Sequence, residues 1–151
     1  MQGNVTIALF ILIAQASWLP LKGGAATNDA PRPATAAPSP SLEERWGIQV
    51  ASLRVSGAGR MIDFRYRVLD PEKAALLGDR NLKPVLIDQA THRKFGVPVA
   101  PKVGSLRQTS VKLTAGRIYF VLFGNTEQLI KSGSKVTVVI GDFRAENLTV
   151  E

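Results

Sequence analysis

From Ile62 to Val68 the side chains alternate without interruption: Ile62, Phe64, Tyr66 and Val68 are apolar, while Asp63, Arg65 and Arg67 between them are charged. A period of two over this length fits a strand with one face in a core and the other toward water. Such a strand is stable only with paired neighbours and a second layer over its apolar face. Gly47 to Ser56 is the natural partner, across a hairpin at Gly57-Ala58-Gly59. In that partner Ile48 and Val50 share one parity and Leu53 and Val55 the other. The slip predicts a β-bulge at Ala51-Ser52 that returns both pairs to one face.

Further runs of strand length follow, separated by turn residues. Lys83 to Asp88 and Lys94 to Ala100 flank a polar turn at Gln89 to Arg93, with Pro84 and Pro98 at positions suited to strand ends. Ser105 to Leu113 is a weaker strand. Arg117 to Phe123 is apolar on both parities, which predicts a central strand covered on both sides with Phe120 buried. Lys135 to Ile140 and Ala145 to Val150 close the set across a turn at Gly141-Asp142. A single short helix is expected near 71–77, with Asp70 capping it, Pro71 in its first turn and Gly78 terminating it. The class is therefore all-β, an immunoglobulin-like or related Greek-key sandwich of seven or eight strands over 42–151. A small barrel is the alternative.

Before this domain the composition changes. Met1 to Leu21 contains no ionisable side chain, and Val5 to Ile13 is an apolar run of signal-peptide length followed by Ala14-Gln15-Ala16 and, later, Gly24-Ala25-Ala26. Residues 1–26 are read as a signal peptide or a membrane anchor. Met1 to Asn4 carries no Lys or Arg and Lys22 is the first cation, so an uncleaved anchor using residues 5–21 stays open beside cleavage. Residues 27–41, with Pro31, Pro33, Pro38 and Pro40 among Ala, Ser and Thr, are read as a disordered, extended tether. The expected address is periplasmic or secreted, with attachment to the inner membrane as the alternative.

Composition narrows the chemistry. The chain has no cysteine and one histidine, His92, which sits beside Arg93 and Lys94. Thiol chemistry and disulfides are excluded, and no metal or other cofactor is expected. A Ser-His-Asp device would need His92, yet no G-x-S-x-G element accompanies it. Asp63, Asp70, Asp79 and Asp88 lie at turns or on the wet face of an alternating strand, where solvated carboxylates are expected rather than a catalytic pair. Asn147-Leu148-Thr149 matches a glycosylation sequon but falls in the terminal strand.

The R-Y-R-V-L-D-P-E-K-A element (Arg65 to Ala74), the K-P-V-L-I-D element (Lys83 to Asp88) and the Y-F-V-L-F-G-N element (Tyr119 to Asn125) resemble a group of bacterial exported β-sandwich domains without an assigned activity. The resemblance covers most of the domain. It implies a bacterial envelope address and no particular chemistry.

The net charge is +7, and one segment concentrates it. Between Asp88 and Glu127 there is no acid, while Arg93, Lys94, Lys102, Arg107, Lys112 and Arg117 are all basic. Placed on one side of the domain they would form an anion-binding face. Three functions compete: a non-catalytic module docking to another envelope component, a basic-face binder of anionic lipid or polyanion, and a carboxylate-dependent enzyme. Nucleic acid is disfavoured, because the expected address lies outside the cytoplasm and the run of cations from Arg93 to Arg117 has few aromatics near it, Phe95 and Tyr119, to stack on bases.

Overall fold

The computed structural model describes residues 40–151. The expected leader (1–26) and all of the tether except Pro40 and Ser41 lie outside the described residues. Ser41 already belongs to the fold. Its hydroxyl accepts the Glu44 N–H while the Glu44 carboxylate accepts the Ser41 N–H, a reciprocal cap on helix α1 (Leu42–Trp46). Trp46 at the end of that helix packs edge-on against Phe143, with ring centroids 5.5 Å apart.

The chain then turns sharply at Gly47, whose φ of +60° is left-handed and whose carbonyl accepts the N–H groups of Leu69 and Asp70. A Cβ at this position would lie 2.7 Å from Cβ of Asp70, so only glycine fits. β1 (Ile48–Ser56) pairs antiparallel with β2 (Met61–Val68), and the register shifts between Val50 and Ser52. The expected bulge is thus present, with Ala51 as the extra residue.

A turn over 71–74 leads into α2 (Ala75–Gly78), shorter and later than the helix expected near 71–77. Asp70 does cap, because its Oδ1 accepts the N–H groups of Glu72 and Lys73, but it caps the turn and not the helix. Gly78 is the last helical residue rather than a left-handed terminator. What requires glycine there is space, since a Cβ would come within 2.5 Å of the Ser110 carbonyl oxygen.

The remaining strands are β3 (Val85–Asp88), β4 (Lys94–Gly96), β5 (Val99–Ala100), β6 (Gly104–Ser105), β7 (Ile118–Gly124), β8 (Lys135–Ile140) and β9 (Phe143–Thr149). One sheet has the order β1-β2-β7 and the other β4-β3-β8-β9; β5 and β6 form a separate two-stranded hairpin. Seven strands therefore build the sandwich, in an immunoglobulin-like Greek-key order with the first, second and fifth of them facing the other four. Expected strand 94–100 is split at Pro98, which cannot donate to a ladder. Expected strand 105–113 is reduced to β6 and a lone bridge from Arg107 to Val121.

The core joins the two inward faces. Ile62, Phe64, Tyr66 and Val68 from β2 and Tyr119, Val121 and Phe123 from β7 meet Leu86, Val136, Val138, Ile140 and Phe143 from the facing sheet, all buried. Phe64, Tyr66 and Tyr119 stack in sequence at 5.7 and 5.9 Å. Near the start of β7 the Tyr119 hydroxyl accepts the Thr114 N–H, tying the strand to the loop before it. A second bulge lies in β9, where the shift between Val136 and Val138 gives β9 one extra residue and Asn147 takes a φ of +57°. It turns Val150 inward after Phe143 and Ala145.

Phe120 is not central. β7 ends its sheet, and Phe120 points outward with 37% of its surface exposed. Asp63 and Asp88, expected to be solvated, are both buried. Asp63 lies in the outward row of a central strand, where Arg54 is its cross-strand partner and Arg65 closes over it at 3.0 Å. Asp88 accepts the N–H and the hydroxyl of Thr91, closing the β3–β4 turn.

Asn125 is fully buried after β7. Its amide nitrogen donates to the Gly59 and Ile130 carbonyls at 2.8 Å each, and its carbonyl accepts the Ile130 N–H at 3.1 Å. It binds the β1–β2 hairpin to the loop leading toward β8. An aspartate has the same shape but cannot donate, so Asn125→Asp is expected to lower stability by about 3 kcal/mol in denaturant titration. A loss below about 1 kcal/mol would refute this role.

Candidate functional site

The acid-free segment is distributed over several surfaces. Arg93 precedes β4 and forms a two-pronged ion pair with Glu127, at 2.8 and 3.2 Å. Lys94 is exposed on β4 beside it, and Lys102 is exposed in the β5–β6 turn. Lys112 is exposed before β7, and Arg117 adjoins the start of that strand with its guanidinium 5.7 Å from the Tyr119 ring centre. Glu127 follows the other end of β7, whose seven residues span about 20 Å. Arg93 and Arg117 thus stand near opposite ends of that strand.

Arg107 differs from the other five. It is buried, 8% exposed, and its side chain enters the interior because the bridge to Val121 fixes it on the inward side of β7. One terminal guanidinium nitrogen donates to the Asp79 carbonyl; the other, Nη1, is buried with no hydrogen-bond partner among the described residues. The Tyr66 hydroxyl is likewise buried and without a partner. Burial lowers the affinity of the Arg107 guanidinium for its proton, with Tyr66 and Asp79 opposing. Burial also raises the Tyr66 phenol well above its ordinary range, with Arg107 opposing. Two polar groups therefore sense each other inside an apolar sandwich without being hydrogen-bonded, an arrangement that costs stability.

Arg107 also lines a cavity of about 440 Å³. Arg80 and Lys83 contribute further positive charge from the segment between α2 and β3, and no Asp or Glu is among the lining residues. Leu82, Val85 and Val97 supply aliphatic walls. The volume falls in the range of small-molecule sites, roughly 300–1,000 Å³. Sequence reasoning found Arg107 in the basic segment but not Arg80 and Lys83, which precede it by more than twenty residues and meet it only through the fold. The sign was a pair of cations around Leu82 just before an apolar strand.

A second surface lies on the outer face of the three-stranded sheet. Ile118, Phe120 and Leu122 form an apolar row on β7, with Arg67, Arg65 and Asp63 as their respective partners on β2. Gln49, Ser52 and Arg54 continue those rows on β1. Because Asp63 is buried beneath its arginines, the face presents apolar side chains beside exposed guanidinium groups.

Among the described residues no group of three or more His, Asp or Glu converges in a way that would hold a metal, and no helix is long and apolar enough to cross a membrane. Comparison of the chain with protein-family models, with curated proteins and with solved structures finds no match.

Because the Tyr66 hydroxyl is buried without a partner, Tyr66→Phe is expected to leave stability unchanged or raise it by up to about 1 kcal/mol. Thermal and chemical denaturation measure this directly. A fall of more than about 1.5 kcal/mol would mean that the hydroxyl is bonded in solution.

Proposed function

We propose that the protein is a non-catalytic binding module of the bacterial cell envelope that docks onto another envelope protein. The observation that carries this reading is the row Ile118, Phe120 and Leu122 on the outer face of the three-stranded sheet. A strand apolar on both parities is expected where both faces are covered, and here the domain itself covers only one. Exposed Arg54, Arg65 and Arg67 flank the row, so the complementary partner presents an apolar centre with acidic side chains around it. The uncharged stretch 5–21 and the Pro-rich 27–41 support export and a position in the periplasm, in the medium or at the inner membrane.

Phe120→Asp is the informative variant. With Phe120 outward, the substitution is expected to cost no more than about 1 kcal/mol of stability while removing the centre of the docking face. A photo-crosslinking residue at position 120 of the full chain, expressed in its native cells, should join to one protein through a segment rich in Asp or Glu. The same residue at position 43, on α1, should not. Lipid adducts alone, or equal labelling from both positions, would overturn the reading.

A further inference from the structure

We propose that the cavity lined by Arg107, Arg80 and Lys83 binds a carboxylate carried on an aliphatic chain. This stands apart from the docking face, whose residues line no part of the cavity. The case begins with Arg107, because a sandwich core gains nothing from a buried cation. An apolar residue of similar length would fill the same space without the desolvation cost, so a buried arginine with an open donor needs a compensating anion.

The chemistry of the lining selects among anions. A guanidinium presents paired N–H groups in a fork that matches the two oxygens of a carboxylate, and Arg107 has already committed one terminal nitrogen to the Asp79 carbonyl. No carboxylate of the described residues pairs with Arg107, so where this residue lines the cavity its uncompensated charge is what holds the head group. Arg80 and Lys83 are exposed at the cavity and add the long-range field that draws an anion in. Leu82, Val85 and Val97, joined by the exposed Val99 of the β5–β6 hairpin, leave the rest of the ligand an aliphatic environment. A strongly hydrated polyanion suits such walls poorly; a monoanion with an apolar body suits them well. The source can be a free fatty acid or the C-terminus of a peptide ending in an aliphatic residue.

Octanoate is the probe. Added to the purified full chain, it should bind saturably, at least about tenfold more tightly than octylammonium or acetate. A peptide ending in valine with a free carboxylate, compared with its C-terminal amide, tells the two sources apart. The peptide acid binding more tightly than octanoate identifies a peptide ligand, and the reverse order identifies a fatty acid. Arg80→Gln combined with Lys83→Gln changes exposed side chains only and should weaken octanoate about fivefold or more. Arg107→Lys keeps the charge but loses the fork, and should weaken it about tenfold. Equal affinity for octanoate and octylammonium, unchanged affinity in the double variant, or no saturable binding up to about 10 mM would overturn the proposal and leave a water molecule as the partner of Nη1.

Discussion

The inward row of β2, Ile62, Phe64, Tyr66 and Val68, is the constraint on which the rest of the domain depends. It lies in the middle strand of its sheet, paired with β1 on one side and β7 on the other, so its side chains fix the register of both neighbours. It also forms the floor on which the facing sheet rests. Both bulges serve this face. Ala51 keeps β1 in step with it, and the extra residue in β9 keeps Val150 turned into the same core. The ends of the sandwich are then closed by polar contacts: Ser41 and Glu44 on α1, Asn125 between hairpin and loop, and the C-terminal Glu151, whose backbone pairs with Leu53 and Val55 on β1.

Within this packing Arg107 is the exception. It is buried on the inward side of β7 with one donor unpartnered, close enough to Tyr66 for each to perturb the proton affinity of the other. Stability alone would favour a hydrocarbon at that position. The cavity next to it, with two more cations and aliphatic walls, gives the charge a use. Local disagreements between a residue and its surroundings of this kind are expected where a fold carries a binding site.

Much of the fold was legible in the sequence because burial follows a period of two. The β1–β2 hairpin, its bulge and the sandwich class all follow from which parity is apolar. Period says which face a residue belongs to, but not what lies over that face. Phe120 was therefore expected inside and is outside, whereas Asp63 was expected in water and lies buried under arginines. The cap at Ser41 escaped notice because the Pro-rich composition before it extends to Pro40, although Ser41 and Glu44 have capping-box spacing. Of the candidate site, only Arg107 could be named in advance. Its burial and its meeting with Arg80 and Lys83 depend on long-range pairing that no local pattern encodes.

The claim that Arg107 is kept for binding and not for stability is tested most directly by Arg107→Met, with unfolding measured in denaturant in the absence of any added ligand. An unbranched apolar side chain fills similar space and removes the unpartnered donor, so the variant is expected to be as stable as the parent chain or more so. A loss of more than about 2 kcal/mol would contradict the account and make Arg107 a structural staple through its bond to Asp79.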